Sequence, residues 1–456
     1  MLGRLLYRNF RLVYRISRWT RDRFTPAGSL LLGGAIGSGI FGIDTRQSLA
    51  FQVFSIITSL VFLAMLSAFT FRGKFRIRRI LPDFGTVGEA LNYKLLVENL
   101  NGRWERDLLL IDELDSPIPG FDEFKFGTDP QDKKRNWFDR KIGYPRLMGL
   151  IQKKRGASTE PVAMDDLPPT GEIEFNARLL PMRRGHLHFL RTRIARPDPL
   201  GIYQSIKDHI NPDSLLVLPK RYRMPVINLK GIRKYQKGGL SLAGSVGDSR
   251  EFMSLRDYRP GDPLKAIHWR SYAKRGHPVV KEFHDEFYVR QGLLLDTFIE
   301  NSTEENFEEG VSIAASLSVS LNSRDSLLDL MFVGAETYRF TSGRGMGKTE
   351  NMLEILACVM PCRHHSFTSL ENMIIRHLPD ISGLICVLLN WDEKRRNLIN
   401  RIRSRNIPLM VFLISEDNGK QPDISSVDIN PDCFITLHPG RIQEQLKQAR
   451  FPDEIT

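Results

Sequence analysis

The sequence predicts a multi-domain chain: an N-terminal transmembrane helical hairpin, then a small antiparallel β-sandwich, then a C-terminal doubly wound α/β domain. Three observations carry this. Residues 24–43 and 47–71 contain no charged side chain. Short alternating segments with turn residues between them fill residues 76–220. From residue 290 onward, apolar strand-like runs alternate with helical patterns.

The membrane segment comes first. The two uncharged stretches are 20 and 25 residues long, and at about 1.5 Å per helical residue both can reach across a hydrocarbon core of roughly 30 Å. In the first, Gly33 and Gly37, and Gly34, Ser38 and Gly42, recur four apart, which offers a flat face for close packing on the second. Only Asp44-Thr-Arg46-Gln separates them, so the reading is a hairpin with both ends on one side. Arg4, Arg8, Arg11, Arg15, Arg18, Arg21 and Arg23 precede it, against Asp22 alone; Arg72, Lys74, Arg76, Arg78 and Arg79 follow it. The positive-inside rule therefore predicts a multi-pass protein of the cell (inner) membrane with its N-terminus and its large C-terminal body in the cytoplasm. Residues 1–23 read as a basic amphipathic helix on anionic lipid or as a disordered basic tail.

Charge is thereby reassigned. The net charge is +12; the first 28 residues carry +6 of it, residues 71–79 carry +5, and about +1 is left for the remainder. The high pI is a topology signal, and a nucleic-acid partner is not expected. Cys358, Cys362, Cys386 and Cys433 lack paired or zinc-ligand spacing, although His364 and His365 follow Cys362, and they read as reduced thiols.

The sandwich is assigned to residues 76–220. FRIRRILP, EALNYKLLVENL and RDLLLIDEL precede a polar excursion at about 116–170, and GEIEFNARLLP, GHLHFLRTRIARP and SLLVLPK follow it. So long a structureless loop is unusual, so part of the excursion is expected to hold helix or to bind something. Residues 221–289 connect to the α/β domain at 290–456, whose strand candidates are QGLLLDTF, LLDLMFVG, TYRF, GLICVLLN, IPLMVFLIS and CFITL. Sites in such folds lie at the carboxyl ends of strands, here Asp296 and Asn390 to Asp392.

Two motifs compete for a chemical role. SGRGMGKT (342–349) ends like a phosphate loop, but the glycine required five residues before Gly347 is Ser342. A plain strand-to-helix connection is favoured, and a membrane-bound NTPase using Lys348 and Thr349, with Asp392 and Glu393 for magnesium and water, is the alternative. The other motif, residues 244–287, packs charges, aromatics and turn formers densely. Pro260 and Gly261 form a turn; Arg256, Asp257, Arg259 and Asp262 can cross-pair; Tyr258 and Trp269 add apolar faces with polar edges. Asp262 near His268 is a lone acid–base pair without a nucleophile.

This segment resembles the signature of the bacterial domain of unknown function 58 family, through Glu251-Phe252, Leu255-Arg256, Tyr258, Pro260 to Asp262, Ile267, Trp269-Arg270, Ala273, Gly276, Val280 and Glu282. RRGHLHF, RPDPLGIYQ, NPDSLLVLPK and the two apolar stretches share in the resemblance. It implies a membrane-anchored protein ending in a von Willebrand factor A-like domain. It also implies a non-enzymatic adaptor that works with a MoxR-type AAA+ ATPase in assembling or maturing other proteins; a structural cell-envelope role is a further alternative. The interaction or inter-domain residues would be Arg256, Asp257, Tyr258, Gly261, Asp262, Trp269 and Arg270. Such A-like domains hold magnesium with Asp-x-Ser-x-Ser; here the run is DTFIE, with Asp296 kept and Phe298 and Glu300 in place of the serines. Thr297 is out of register and Asp392 or Asp285 could supply a second carboxylate, so no cofactor is expected beyond a degenerate magnesium site at Asp296 and Asp392.

Overall fold

The structure is a computed structural model and describes residues 2–41, 49–115, 118–126, 136–137, 143–225, 227, 234–235, 252–260, 262, 264, 267–283, 287–300, 302–321, 326–343, 349–363, 365–416, 422–424, 427, 429–449 and 451. It divides into two compact units, Met1–Lys220 and Arg221–Thr456.

The first unit begins with three helices, α1 (Leu2–Arg23), α2 (Pro26–Phe41) and α3 (Leu49–Ala68). The basic N-terminus, left open between lipid-bound helix and tail, is helical. At 20 residues, α3 is long and apolar enough to cross a membrane. α2 is described over 16 residues, about 24 Å, and reaches the edge of the described residues at Phe41. Its start is fixed by Thr25, whose hydroxyl accepts from the Gly28 amide, and by Pro26 at the first helical position. Of the small residues expected to face α3, a side chain on Gly34 would touch Ile57, whereas Gly33 and Gly37 look onto open space; Gly39, outside that pattern, is the one a side chain would press on Phe54 at 3.2 Å. The Asp44–Arg46 connection falls outside the described residues.

Nine strands follow, interrupted by two helices: β1 (Phe75–Ile80), β2 (Phe84–Thr86), β3 (Leu91–Asn99), β4 (Leu109–Leu114), α4 (Phe121–Phe126), α5 (Tyr144–Lys154), β5 (Ala157–Thr159), β6 (Val162–Ala163), β7 (Glu172–Pro181), β8 (Gly185–Pro197) and β9 (Gln204–Leu218). They form sheets ordered β1-β3-β7-β5 and β2-β9-β8-β4-β6. Alternation along β3 and β7 turns Tyr93, Leu95, Val97, Phe175, Ala177 and Leu179 into one core with Leu110, Phe189, Ile194 and Val217 of the other sheet. One charge lies inside. Arg79 forks onto Asp112 at 2.8 and 2.6 Å, stacks over Phe189, and shares Asp112 with Tyr93 and Thr192, so the buried pair is fully hydrogen-bonded.

The excursion at 116–170 supplies β5 and β6 to the two sheets and α4 and α5 to α1, where Tyr7 is buried among Phe121, Phe124, Leu147 and Ile151.

The Arg-Pro-Asp-Pro-Leu-Gly-Ile-Tyr run shapes the β8–β9 turn. Asp198 accepts from the amides of Leu200, Ile202 and Tyr203 at 2.6 to 3.0 Å. The turn then seats the start of α2: the Thr25 hydroxyl donates to Gly201 O at 2.5 Å and its amide to Ile202 O at 3.1 Å. A Cβ on Gly28 would fall 2.0 Å from Ile202 O, so only glycine allows the approach.

In the second unit, β10 (Lys234–Tyr235) pairs with a later strand, and β11 (Phe252–Asp257) pairs antiparallel with β12 (Val279–Phe283) around α6 (Trp269–Arg275). The α/β domain runs β13 (Phe287–Leu295), α7 (Glu304–Ser320), β14 (Ser326–Val333), β15 (Thr337–Ser342), α8 (Thr349–Cys358), α9 (Phe367–His377), β16 (Gly383–Leu388), α10 (Glu393–Arg403), β17 (Leu409–Ile414), β18 (Phe434–Leu437) and α11 (Ile442–Gln448). With β10 paired antiparallel to β13 off the path, its sheet order is β15-β14-β13-β16-β17-β18, and along that path it is parallel except for the β14–β15 edge. That is the doubly wound order 3-2-1-4-5-6, whose switch point lies between β13 and β16. β14, β16 and β17 are buried at every position, as strands covered on both faces must be.

Candidate functional site

In a doubly wound sheet, the cleft beyond the switch point is where ligands bind. Here it is filled by the protein itself. Asp296 follows β13 and is fully buried; its Oδ1 accepts from the Phe298 amide at 3.0 Å and its Oδ2 from the Leu389 amide at 3.2 Å. Arg395 reaches back from the first turn of α10, and its Nε donates to Asp296 Oδ2 at 2.6 Å. Nη1 of Arg395 donates to Asp392 Oδ2 at 2.6 Å, Nη2 donates to Phe298 O at 3.3 Å, and the guanidinium lies over the Phe367 ring. Asp392 also caps α10, accepting from the Arg395 amide at 3.0 Å.

The two carboxylates expected at a magnesium site are thus brought together, on a guanidinium. Burial works against the charge on Arg395, and Asp296 and Asp392 outweigh it, so the pKa is raised and the group stays cationic. The other expected positions do not converge on this point. Thr297 donates to Val333 O at 2.5 Å, and Phe298 is buried edge-on to Phe367. Asp285 lies outside the described residues. Among the described residues no cluster of three or more His, Cys, Asp or Glu side chains could hold a metal. The residues present do not fit magnesium, because a guanidinium already occupies the point where a hard cation would need oxygen ligands on every side. Arg395 was missed in the sequence because an arginine on a charged helix reads as solvated; its position three residues after the capping Asp392 was the available signal.

A second buried carboxylate, Asp329 on β14, takes bonds from Arg290 at 2.7 Å, from Arg339 at 2.7 Å and from Thr341 at 2.6 Å. Arg339 also donates to His377 Nδ1 at 2.7 Å, which makes that imidazole a neutral acceptor. Burial first, then the Arg339 charge, hold the His377 pKa below its usual value.

Of the thiols, Cys358 is exposed at the end of α8, whereas Cys362, Cys386 and Cys433 are buried, and burial pushes the Cys386 and Cys433 thiols up. His365 bonds to Ala335 O and Cys362 to Gly334 O, so the two make no metal pair. Of the phosphate-loop candidate, Ser342 ends β15, Gly343 has a φ of 114° and Thr349 opens α8; Lys348 and its neighbours at 344–348 lie outside the described residues.

The dense motif forms its own small layer. Arg256 clasps Asp262 with two bonds of 2.7 and 2.8 Å, and the Arg259 amide adds a third at 2.8 Å. These bonds, with Arg256 foremost, lower the Asp262 pKa to about 2. Asp257 pairs instead with His277 at 3.1 Å, and His268 bonds to Ser271 at 2.7 Å, so the Asp262–His268 pairing is not formed. Gly261 falls outside the described residues. What the clasp presents is apolar: Leu264, Trp269 and Tyr272 are 68%, 64% and 41% exposed, with the two rings edge-to-face at 6.0 Å. Arg270, Lys274 and Arg275 are exposed on the same helix, α6, and Tyr258 and Arg259 precede it in the chain.

Residues 254–388 match the family described as Protein of unknown function DUF58. The Uncharacterized protein YeaD of Bacillus subtilis (strain 168) is 28% identical over 176 residues, 38% of this chain and 42% of that protein, so the chain spans less than half the length of this relative. Among solved structures, the CARDB domain of the PF1109 protein from Pyrococcus furiosus aligns over 32% of this chain and 89% of its own, at 11% identity and a TM-score of 0.18. A PapD-like domain of human CEP192 aligns over 32% of this chain and 83% of its own, at 17% identity and a TM-score of 0.16. These structural likenesses are too distant to inform the fold.

Proposed function

We propose that this protein is a membrane-tethered, non-enzymatic adaptor whose second unit binds a protein partner through the Leu264–Trp269–Tyr272 face of the dense motif. The carrying observation is the contrast within that unit. Asp296, Asp392, Asp329 and Asp262 are held in ion pairs and Cys386 is buried, while Leu264, Trp269 and Tyr272 are exposed on a segment that also carries Arg270, Lys274 and Arg275. Buried aromatic anchors with a charged border are the usual composition of an interaction hot spot. The match to a family of unknown function covers this segment.

The strand order 3-2-1-4-5-6 with one antiparallel edge supports a von Willebrand factor A-like domain, and the guanidinium at its switch point makes docking there independent of magnesium. The tether is α3, packed on α2, and the arginines on both sides of the apolar stretches favour a cytoplasmic body. The partner we favour is a MoxR-type AAA+ ATPase, whose acidic or apolar surface would meet the cationic aromatic face.

The test is direct binding of the full chain in detergent or nanodiscs to such an ATPase from the same organism. Trp269→Ala with Tyr272→Ala is expected to weaken binding by at least about tenfold, the scale of a lost hot spot, whereas Glu393→Ala, on α10 beside the switch point, leaves it unchanged. Equal binding by both variants, or ATP hydrolysis by the chain alone, would overturn the reading.

A further inference from the structure

The membrane-proximal helix α1 has two faces that the adaptor role does not use. One is packed: Tyr7, Phe10 and Tyr14 meet α4 and α5. On the same side Arg18 pairs with Glu113, and Asp22 accepts from Arg193 at 2.8 Å. The opposite face is largely exposed, with Trp19 meeting Phe24 edge-to-face at 6.2 Å and lying under the Arg23 guanidinium. Leu5, Leu12, Ile16 and Trp19 are each about half exposed, at 49%, 55%, 56% and 49%, and their spacings of seven, four and three residues put them on one stripe. Arg4, Arg8 and Arg15 are exposed along its border, four and seven residues apart.

Two further observations name what covers the stripe. Only two residues separate α1 from α2, and the first turn of α2 is bolted to the sandwich through Thr25, Gly28, Gly201 and Ile202. Phe24, at the joint, is buried with Ile202 and Tyr203 and packs on Leu60, Val61 and Ala64 of α3. The exposed stripe therefore begins within about two turns of the end of a helix apolar enough to span a bilayer. The charge is complementary as well. With seven arginines and one aspartate, α1 suits an anionic surface, which attracts basic segments close to a membrane.

We propose that α1 lies in the headgroup region of an anionic leaflet, with Leu5, Leu12, Ile16 and Trp19 inserted and Arg4, Arg8 and Arg15 on lipid phosphates. A protein partner or a second copy on this stripe is the competing occupant. The inference rests on anchoring through α3 and not on the AAA+ partner.

The experiment uses the full chain reconstituted into vesicles of phosphatidylcholine with phosphatidylserine, brominated on the upper acyl carbons. Trp19 is one of five tryptophans, so quenching by the brominated lipid is expected to be larger in wild type than in Trp19→Phe. The difference is expected to shrink in pure phosphatidylcholine and to vanish in Leu12→Asp/Ile16→Asp, whose changes fall on exposed positions. Equal quenching of wild type and Trp19→Phe, in a chain that floats with the vesicles, overturns the α1 placement alone. Equal quenching in both lipids overturns the anionic preference. A chain that does not float overturns the anchoring and this inference together.

Discussion

At the scale of single residues, the deciding one is Arg395. A buried guanidinium shared by Asp296 and Asp392 supplies the positive charge that a divalent ion would bring, with the directionality of hydrogen bonds. Two outcomes follow. Magnesium or a chelator should leave the melting temperature of the protein unchanged, since no open oxygen cage exists to be filled. Arg395→Ala should cost about 3–5 kcal/mol by stranding Asp296 in the interior, while Asp296→Asn with Arg395→Met should recover most of that loss, as replacing a whole buried pair usually does. Denaturant titration measures both variants, and a magnesium-induced rise in wild-type stability would restore the metal site. The sequence showed Asp296 and Asp392 but not their occupant. A carboxylate at a strand end is visible as a letter, whereas the reach of an arginine from a neighbouring helix is a property of the fold.

At the scale of elements, the contact between α9 and β15 is tuned by a proton. His377 on α9 can accept from Arg339 on β15 only while neutral. Its folded pKa lies below the ordinary value of 6.5, so the unfolded chain binds the proton first as pH falls. The stability contributed by this contact is therefore present above about pH 6.5 and is lost progressively as pH drops through the folded pKa. Following unfolding of residues 221–456 between pH 7.5 and 5 should show this decline, and His377→Gln, which keeps an acceptor and cannot titrate, should flatten it. A slope identical in wild type and His377→Gln would remove His377 as the cause. Elements were also where sequence reasoning worked best. The buried runs LLDLMFVG, GLICVLLN and IPLMVFLIS became β14, β16 and β17 because a strand covered on both faces reads as a near-continuous apolar run, interrupted within these strands by the paired Asp329 and by Ser326. At the start of α2 sequence and structure differ slightly, the uncharged stretch beginning at Phe24 and the helix at Pro26. Hydropathy marks where charge is absent, whereas Thr25 and Pro26 decide where the helix starts. The strands β5 and β6 were hidden inside a polar excursion because three-residue and two-residue pairings carry too few side chains to show a period.

At the scale of the whole molecule, the two units divide the work by composition. Most of the excess positive charge lies in α1 and beside the apolar helices, and the remainder is close to neutral; on the proposed reading, long-range attraction then belongs to the tethered end and specific contact to the other. The second unit contains a complete sheet flanked by α7 to α11, with buried residues on every central strand. It also carries the whole Leu264–Trp269–Tyr272 face. A core of that extent is enough for a domain to fold alone. Residues 221–456 produced by themselves should therefore unfold in one cooperative step and bind the AAA+ partner within about threefold of the full chain, a difference of roughly 0.6 kcal/mol. Isothermal titration of the isolated unit and the reconstituted chain against the same partner makes the comparison. A loss of affinity beyond about tenfold in the isolated unit, with its cooperative transition intact, would mean that the first unit supplies part of the binding surface. The tether would then be a participant in recognition, and the aromatic face only one half of the site.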